Sequence, residues 1–211
     1  MSTGESTCRT CRRAGEKLFL KGEKCFSPSC TFNKKPYAPG QSGASGKRRR
    51  AASEYGKQLQ EKQKVRNTYG LRERQFGNYV KEAMKQKDVN PADTLYELLE
   101  QRLDNVVYRL GLASSRALAR QMVSHGHITV NGRRSTIPSY HVKKGDKLSV
   151  REGSRDKKLF TEIGSRLQKY QFPEWVTFSP NALEGEVSGK PSAEKAEIGF
   201  DLSSVIEYYS R

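Results

Sequence analysis

Between Leu103 and Val150 the spacing of apolar residues changes period, and glycines punctuate the change. Leu103, Val106, Val107 and Leu110 recur at helical spacing and stop at Gly111, which suits the left-handed position just past a helix end. Ser114 or Ser115 can cap a second short helix that buries Leu118 and Met122 and ends at Gly126. His127 to Val130 then alternate like a strand, and Asn131-Gly132 is the strongest two-residue hairpin signal. Lys143-Lys144-Gly145-Asp146 marks a turn before a short strand at Lys147 to Val150. The pattern predicts a helix pair feeding a β-hairpin and a small sheet, an α+β arrangement. The same region is cleared of acids. From Asn105 to Gly145 there is no Asp or Glu in 41 residues, while seven Lys or Arg and all three histidines fall there. A solvated face mixes both signs. A long acid-free face points instead to a polyanion lying against it.

The whole chain agrees. It has 211 residues, 39 Lys plus Arg against 23 Asp plus Glu, a net charge of +16 and only 34% hydrophobic residues. That allows one to three small domains with modest cores. Nucleic acid is the default partner of such a surplus, with an anionic membrane surface as the weaker rival. No apolar run has the length of a membrane span, and Ser2 to Arg13 is too polar for a signal peptide. A soluble, cytoplasmic protein is therefore expected, with no membrane partner and no small-molecule substrate.

All four cysteines lie in the first thirty residues, as Cys8-x2-Cys11-x13-Cys25-x4-Cys30. Two close pairs separated by a loop can wrap four thiolates around one tetrahedral Zn²⁺. Arg9, Arg12, Arg13 and Lys24 would help keep the thiolates deprotonated. Disulfides are disfavoured in a chain without an export signal. An iron–sulfur cluster fits four thiolates as well. With every position filled by Cys, the site is expected to be structural.

Residues 1–45 thus read as a four-cysteine arm and linker, rich in Pro and Gly from Lys35 and running into the basic string Lys47-Arg48-Arg49-Arg50. Residues 46–100 read as a small helical domain: one helix from Ser53 to the Tyr69-Gly70 stop, a second through Phe76, Tyr79 and Val80, and a third beginning at Pro91 that carries Leu95, Leu98, Leu99 and possible Leu103. Tyr55, Tyr69 and Tyr79 are expected in its core. Residues 101–185 form the module described first, with a strand at Trp175 to Phe178. Gly185 to Lys195 reads as a loop, with 186–197 set apart as loop. The apolar C-terminal segment, 198–211, is expected to dock and complete the helical domain.

Three stretches carry a resemblance. They are Arg102-Leu103-Asp104-Asn105-Val106-Val107-Tyr108-Arg109-Leu110-Gly111, Ser115-Arg116 through Ala119-Arg120-Gln121, and His125-Gly126-His127-Ile128-Thr129-Val130-Asn131-Gly132-Arg133-Arg134. They resemble the RNA-binding module named after small-subunit ribosomal protein S-four. Tyr55 to Lys64, Tyr69-Gly70, Gln75-Phe76 and Val205 to Arg211 resemble the ribosomal S-four family itself, and the cysteine spacing resembles its zinc-bearing bacterial branch. Ser2 to Thr7 lacks the Arg and Tyr with which the family usually starts, and Lys157 to Gly199 follows the pattern weakly.

The resemblance implies a structural constituent of the small ribosomal subunit. It would be a primary binder of ribosomal RNA that grips a multi-helix junction early in assembly. It also implies contact with a neighbouring protein, protein five, at an interface linked to decoding accuracy, a place along the channel through which messenger RNA enters, and possible repression of its own messenger. The expected RNA-binding residues are Arg12, Arg13, Lys47, Arg48, Arg49, Arg50, Lys62, Arg66, Arg72, Arg74, Arg102, Arg109, Ser115, Arg116, Arg120, Gln121, His125, His127, Asn131, Arg133, Arg134 and Lys143. Arg116 and Arg120, four apart on one helix face, and Arg133 and Arg134 at the hairpin are expected to hold phosphates. Bland readings stand beside several of these. Arg109 can pair with Asp104 or cap its helix, one of the two histidines can simply pack, and Asn131-Gly132 can serve the turn alone. Lys47 to Arg50 can be a solvated tail.

Two other classes compete. The module also occurs in RNA-modifying enzymes, but those need a substantial catalytic domain. No paired-carboxylate, phosphate-loop or nucleophile–base motif is found here, so the chain is read as no enzyme. A zinc-finger DNA regulator would want a recognition helix directly after the cysteines, where Pro36, Pro39 and glycines lie.

Overall fold

The computed structural model describes residues 4–40, 51–86, 88–161, 163, 167, 170–179, 183–193 and 199–211. The chain divides into two units, Met1–Leu95 with Glu197–Arg211, and Tyr96–Ala196.

The first unit is helical. α1 (Gly4–Ala14), α2 (Glu23–Phe26) and α3 (Thr31–Lys34) form the cysteine arm, followed by α4 (Glu54–Thr68), α5 (Glu73–Lys85) and the start of α6 (Pro91–Glu100). Local chemistry sets these ends. The Ser53 hydroxyl accepts the Gly56 N–H at 3.2 Å to cap α4, and Gly70 takes a left-handed φ of 62° after it. Asn90 Oδ1 accepts the Ala92 N–H at 3.0 Å to start α6. The last helix, α11 (Leu202–Ser210), belongs to this unit and packs chiefly on α4. Its cap is Asp201, which accepts the Ser203 and Ser204 N–H groups at 2.9 and 3.2 Å. The Ser204 hydroxyl, donating to the same carboxylate, is the main reason the Asp201 carboxyl sits below its usual range. Val65, Tyr69, Phe76, Val80, Ala83, Leu95, Leu202 and Val205 form the core.

The expected core role of Tyr55 does not hold. It is 51% exposed, and its ring is tilted against that of Tyr208 of α11 at 5.5 Å between ring centroids. It lies in the first turn of α4, at the end of the helix, beside Tyr208. Tyr69 is buried and Tyr79 half-buried.

The second unit pairs helices with a sheet. α7 (Leu103–Arg109) and α8 (Arg116–Ser124) precede β1 (Ile128–Val130), β2 (Arg133–Arg134) and β3 (Lys147–Val150). After two short helices, α9 (Glu152–Arg155) and α10 (Lys158–Thr161), come β4 (Val176–Ser179) and β5 (Glu184–Val187). All pairings are antiparallel, in the order β2-β1-β3-β5-β4. Asn131 and Gly132 have φ of 50° and 77°, the two positive values of a type I′ turn, so Val130 faces Arg133 and Thr129 faces Arg134. The Asn131 side chain then clips the β1–β2 turn to β3: its Oδ1 accepts the Lys147 N–H at 2.9 Å and its Nδ2 donates to Asp146 at 2.8 Å. Leu103, Val106, Val107, Leu110, Met122, Ile128, Leu148, Val150, Val176 and Val187 share one apolar core.

Two expectations change. Glu184 to Val187 is a strand paired on both sides, so the loop expected over Gly185 to Lys195, and over 186–197, begins later. Gly185 supplies the reason: a Cβ there would stand 2.6 Å from a Leu110 methyl, so the strand favours glycine where it passes the residue that ends α7. Leu103 is not part of the preceding helix. The chain leaves helical geometry at Arg102, which bridges to His141, and the Leu103 N–H donates to the Tyr140 carbonyl at 2.8 Å. Among the described residues no helix is long and apolar enough to cross a membrane.

Candidate nucleic-acid interface

α8 begins at Ser115, whose hydroxyl accepts the Leu118 N–H at 3.3 Å. This cap orients the helix so that Arg116, Arg120 and the exposed Gln121 lie outside the core. The two arginines are held from below. Arg116 Nε donates to Asn105 Oδ1 at 2.8 Å, and its guanidinium lies 4.5 Å from the Tyr108 ring centroid. Arg120 donates to Asp104 from Nε at 2.8 Å and from Nη2 at 2.6 Å. Arg109 makes a forked contact with the two carboxylate oxygens of Glu100, at 2.6 and 2.9 Å. It therefore pairs, as the bland reading allowed, but with Glu100 and not Asp104.

Arg102 is different from its neighbours. It is only 2% exposed, with Nε and Nη2 on the two oxygens of Asp104 at 3.1 and 2.9 Å. A guanidinium so enclosed has no open edge for a phosphate. Its place among the expected contact residues gives way to an internal role, because the start of α7 is folded against residues 138–141.

The turn from α8 into β1 gathers a second group. Gly126 has a φ of 71°, and the Arg134 guanidinium lies across it so closely that a Cβ there would collide with it. Arg134 also reaches the His125 carbonyl at 3.5 Å. His125 is exposed, and His127 is half-buried with Nδ1 3.0 Å from Ser154 Oγ. The His127 pKa lies below the ordinary imidazole value. Burial is the largest cause, and the charges of Lys157, His125, Arg151 and Arg134 add to it. The local field is thus positive. Arg133, Asn131 and Lys143 are exposed at the hairpin and the following turn, and the Lys143 N–H donates to Asp146 at 2.8 Å.

The candidate residues of the helical unit form a separate set. Arg12 donates to the carbonyls of Lys35 and Tyr37 at 3.0 and 2.9 Å and covers the Tyr37 ring. Arg13 lines an open groove of about 690 Å³ between α1 and α4, together with Arg9, Lys64 and Arg66. Arg66 pairs with Glu73 at 3.0 Å, and Arg72 and Arg74 are exposed. Lys62 is 5% exposed. Its ammonium sits 2.6 Å from Glu73 and over the Tyr208 ring at 4.7 Å. Expected to face RNA, it is instead enclosed where α11 closes on α4. Lys47, Arg48, Arg49 and Arg50 lie outside the described residues.

Sequence reasoning missed Glu100, Tyr108, Arg151 and Lys157, and named Asp104 only as a partner for Arg109. The two acids stand just upstream of the acid-free stretch, so a count along the chain leaves them out although they fold beneath it. Arg151 and Lys157 follow β3, and folding brings their charges near His127.

The four cysteines line one small cavity with Leu20 and Phe32. Cys8 and Cys11 are one turn apart on α1, and no disulfide joins any of the four. The Lys21 N–H donates to Cys25 Sγ at 3.3 Å. Burial raises the Cys11 thiol pKa, the Leu18 N–H bond opposes that, and the other three thiols add to the rise. Among the described residues no group of three or more Cys, His, Asp or Glu stands in metal-holding geometry.

Comparison with known proteins places these features. Residues 3–100 match the Ribosomal protein S4/S9 N-terminal domain, and residues 101–148 match the S4 domain. The chain is 49% identical over 204 residues to small ribosomal subunit protein uS4 of Natranaerobius thermophilus, covering 97% of this chain and 96% of that one. It is 47% identical over the same shares to the protein of that name from Thermus thermophilus. With that of Maridesulfovibrio salexigens the identity is 46%, over 98% of both chains. The chain belongs to the small ribosomal subunit protein uS4 family.

Proposed function

We propose that this chain is a structural constituent of the small ribosomal subunit, bound to the subunit's ribosomal RNA and to neighbouring ribosomal proteins, and thus found in the ribosome. The observation that carries the reading is the clustering of Arg116, Arg120, His125, Arg133 and Arg134 on α8, its C-terminal turn and the hairpin. It is a fixed cationic surface in a chain whose relatives are named as small-subunit proteins. An RNA duplex hides its base edges in a deep groove, so such a surface reads backbone shape through phosphates and 2′-hydroxyls. The finer reading is that it grips a junction of several RNA helices early in assembly. Contact with protein five and a part in accuracy, a position along the messenger channel, and repression of its own messenger complete the reading. No step in it is catalytic.

The cysteine arm is read as a structural zinc site. The residues fit the group in their chemistry: four sulfurs on one cavity, with a backbone N–H directed at Cys25 and another at Cys11. Cys8, Cys11, Cys25 and Cys30 would hold the ion, which would supply a cross-link between α1 and the segment of α2 and the turn after it. Elemental analysis is expected to find one zinc per chain; no metal, or iron with sulfide, overturns the zinc reading.

The test of the main reading is affinity for small-subunit ribosomal RNA across a salt series. Arg116→Ala and Arg133→Ala are each expected to weaken binding and to lower the salt slope by about one. A slope unchanged in both variants removes this surface from the interface.

A further inference from the structure

The cysteine arm carries a pair of rings that the surface of α8 and the hairpin does not use. Phe19 and Phe26 stack with their centroids 4.9 Å apart and their planes 25° apart. Phe19 lines the cysteine cavity, so one side of it has a structural purpose. Phe26 lies outside that cavity, and it is 74% exposed, the most of any large hydrophobic side chain among the described residues. Phe19 is itself 40% exposed and takes a left-handed φ of 49°. A bulky side chain enters that region only at a cost, and such strain gathers where it is put to use.

A single exposed phenylalanine needs no explanation. Two stacked rings, one on a strained backbone and one open to water, form a flat apolar platform. Its surroundings decide what lies on it. The neighbours of Phe26 along the chain, Glu23, Lys24, Ser27 and Ser29, are polar, so the apolar patch is only a ring or two wide. A stable protein–protein contact covers about 800 Å² on each side, far more than such a patch offers. One nucleobase matches it. Charge points the same way. Residues 4–40 hold eight Lys or Arg against three Glu, and Lys17, Lys21 and Lys24 flank the two rings along the chain. An aromatic face among cations suits single-stranded nucleic acid, with base on ring and phosphate beside cation. Tyr37, the other exposed ring of the arm, already carries the Arg12 guanidinium 4.9 Å from its centroid.

We propose that the Phe19–Phe26 stack is a platform for one unpaired RNA base, which lies against the exposed surface of Phe26 while the adjoining phosphates meet the lysines of the arm. The site rests on the RNA-binding reading above and adds a second mode of contact to it. Shape and phosphates serve for a duplex, whereas the platform takes a base that no duplex holds. Phe19 backs Phe26, so the exposed ring is fixed before a base arrives and loses less freedom on binding. Every base has a π face, so the platform accepts any of the four.

The test titrates the full chain against small-subunit ribosomal RNA transcribed in vitro, over a range of salt. Phe26→Ala and Phe26→Leu are each expected to lose affinity by roughly tenfold with the salt slope unchanged, because a stacking face is lost and no cation is removed. Phe26→Tyr keeps the ring and is expected to bind like the parent. The residue is exposed, so all three variants are expected to fold, as circular dichroism checks. Phe26→Trp reads the contact directly. It adds an indole to the buried Trp175, with the parent chain as the blank. The added emission is expected to be quenched by a uridine decamer and to stay level with an abasic phosphodiester chain of equal length. Equal quenching by both chains, or by neither, overturns the platform. So does level RNA affinity in Phe26→Ala when that variant no longer retains a neighbouring small-subunit protein, which assigns the patch to a protein. A parent chain that does not bind this RNA defeats the RNA reading and the platform together. A parent that binds, with Phe26→Ala binding equally well, defeats the platform alone.

Discussion

In the helical unit the ammonium of Lys62 is enclosed by Glu73, Tyr208 and Tyr209, and Lys64 is shared between Glu16 and Glu61. In the central unit Arg133, Arg134 and Lys143 stand exposed, and Arg116 and Arg120 are half-buried against Asn105 and Asp104. The same residue types therefore do two jobs. In the first unit cations join helices to one another. The bonds from Glu61 and Glu16 more than offset burial and raise the Lys64 pKa, while the bonds from Lys62 and Tyr209 outweigh burial and hold the Glu73 carboxyl low. In the second unit burial, and after it the surrounding cations, push His127 toward its neutral form. Net charge reports both situations as the same surplus. What separates them is whether acids and rings enclose the cation or leave it at the surface.

The sharpest way to break this contrast is to weaken each core in turn. Phe76 and Leu148 are both fully buried. Phe76→Ala is expected to cost about 3–5 kcal/mol and Leu148→Ala about 2–5 kcal/mol. Hydrogen exchange should locate each loss, with amides of α4 and α5 loosening in the first variant and those of β1 and β3 in the second. Loss of protection across both units in either variant would show that the division is not thermodynamic.

A smaller effect separates the two kinds of cation. Lys62→Met is expected to lower stability by roughly 1–2 kcal/mol, since Glu73 is half exposed and keeps Arg66, while RNA affinity per folded molecule stays level. Arg133→Ala is expected to do the reverse, with unchanged denaturant midpoint and weaker RNA binding. The same direction of change in both assays for both variants would dissolve the distinction.

The smallest effect is a pH dependence. In the free protein His127 titrates below the ordinary imidazole value. RNA offsets the cations that depress it, so the bound state has the higher pKa and binding takes up a proton. Affinity is then expected to rise, by roughly twofold, as pH falls from 8 to 6, and His127→Gln to flatten that rise. For folding the sign is opposite. A depressed imidazole contributes a loss of stability as pH falls below the unfolded value. Affinity that falls with pH in the parent would place RNA away from this histidine.

Much of the central unit was legible from punctuation. Gly111, Ser115, Gly126 and Asn131-Gly132 each mark a local backbone requirement, and local requirements can be read one residue at a time. β5 was not legible, because Glu184-Gly185-Glu186-Val187 has turn-like composition and becomes a strand only between β3 and β4. The candidate interface was legible as a set of residue types and less so as geometry. Arg102 and Arg120 are both arginines near the acid-free stretch, and only folding shows that Asp104 lies between them with one buried and one facing out. Lys62 illustrates the same limit across more than 140 residues of chain, since its partners Tyr208 and Tyr209 lie at the far end of the sequence.

That distant closure has a consequence for how the molecule is made. α11 supplies Leu202 and Val205 to the core of the unit that begins at the N-terminus. A chain grows from its first residue at about 5–20 residues per second, so the helical unit waits roughly ten seconds between the synthesis of Leu95 and that of its closing helix. The central unit has all of its strands by then. The order of completion is the reverse of the order of synthesis: the segment made first is finished last, and until then Lys62, Phe76 and the α11-facing side of α4 are in contact with solvent or with whatever else is near the nascent chain.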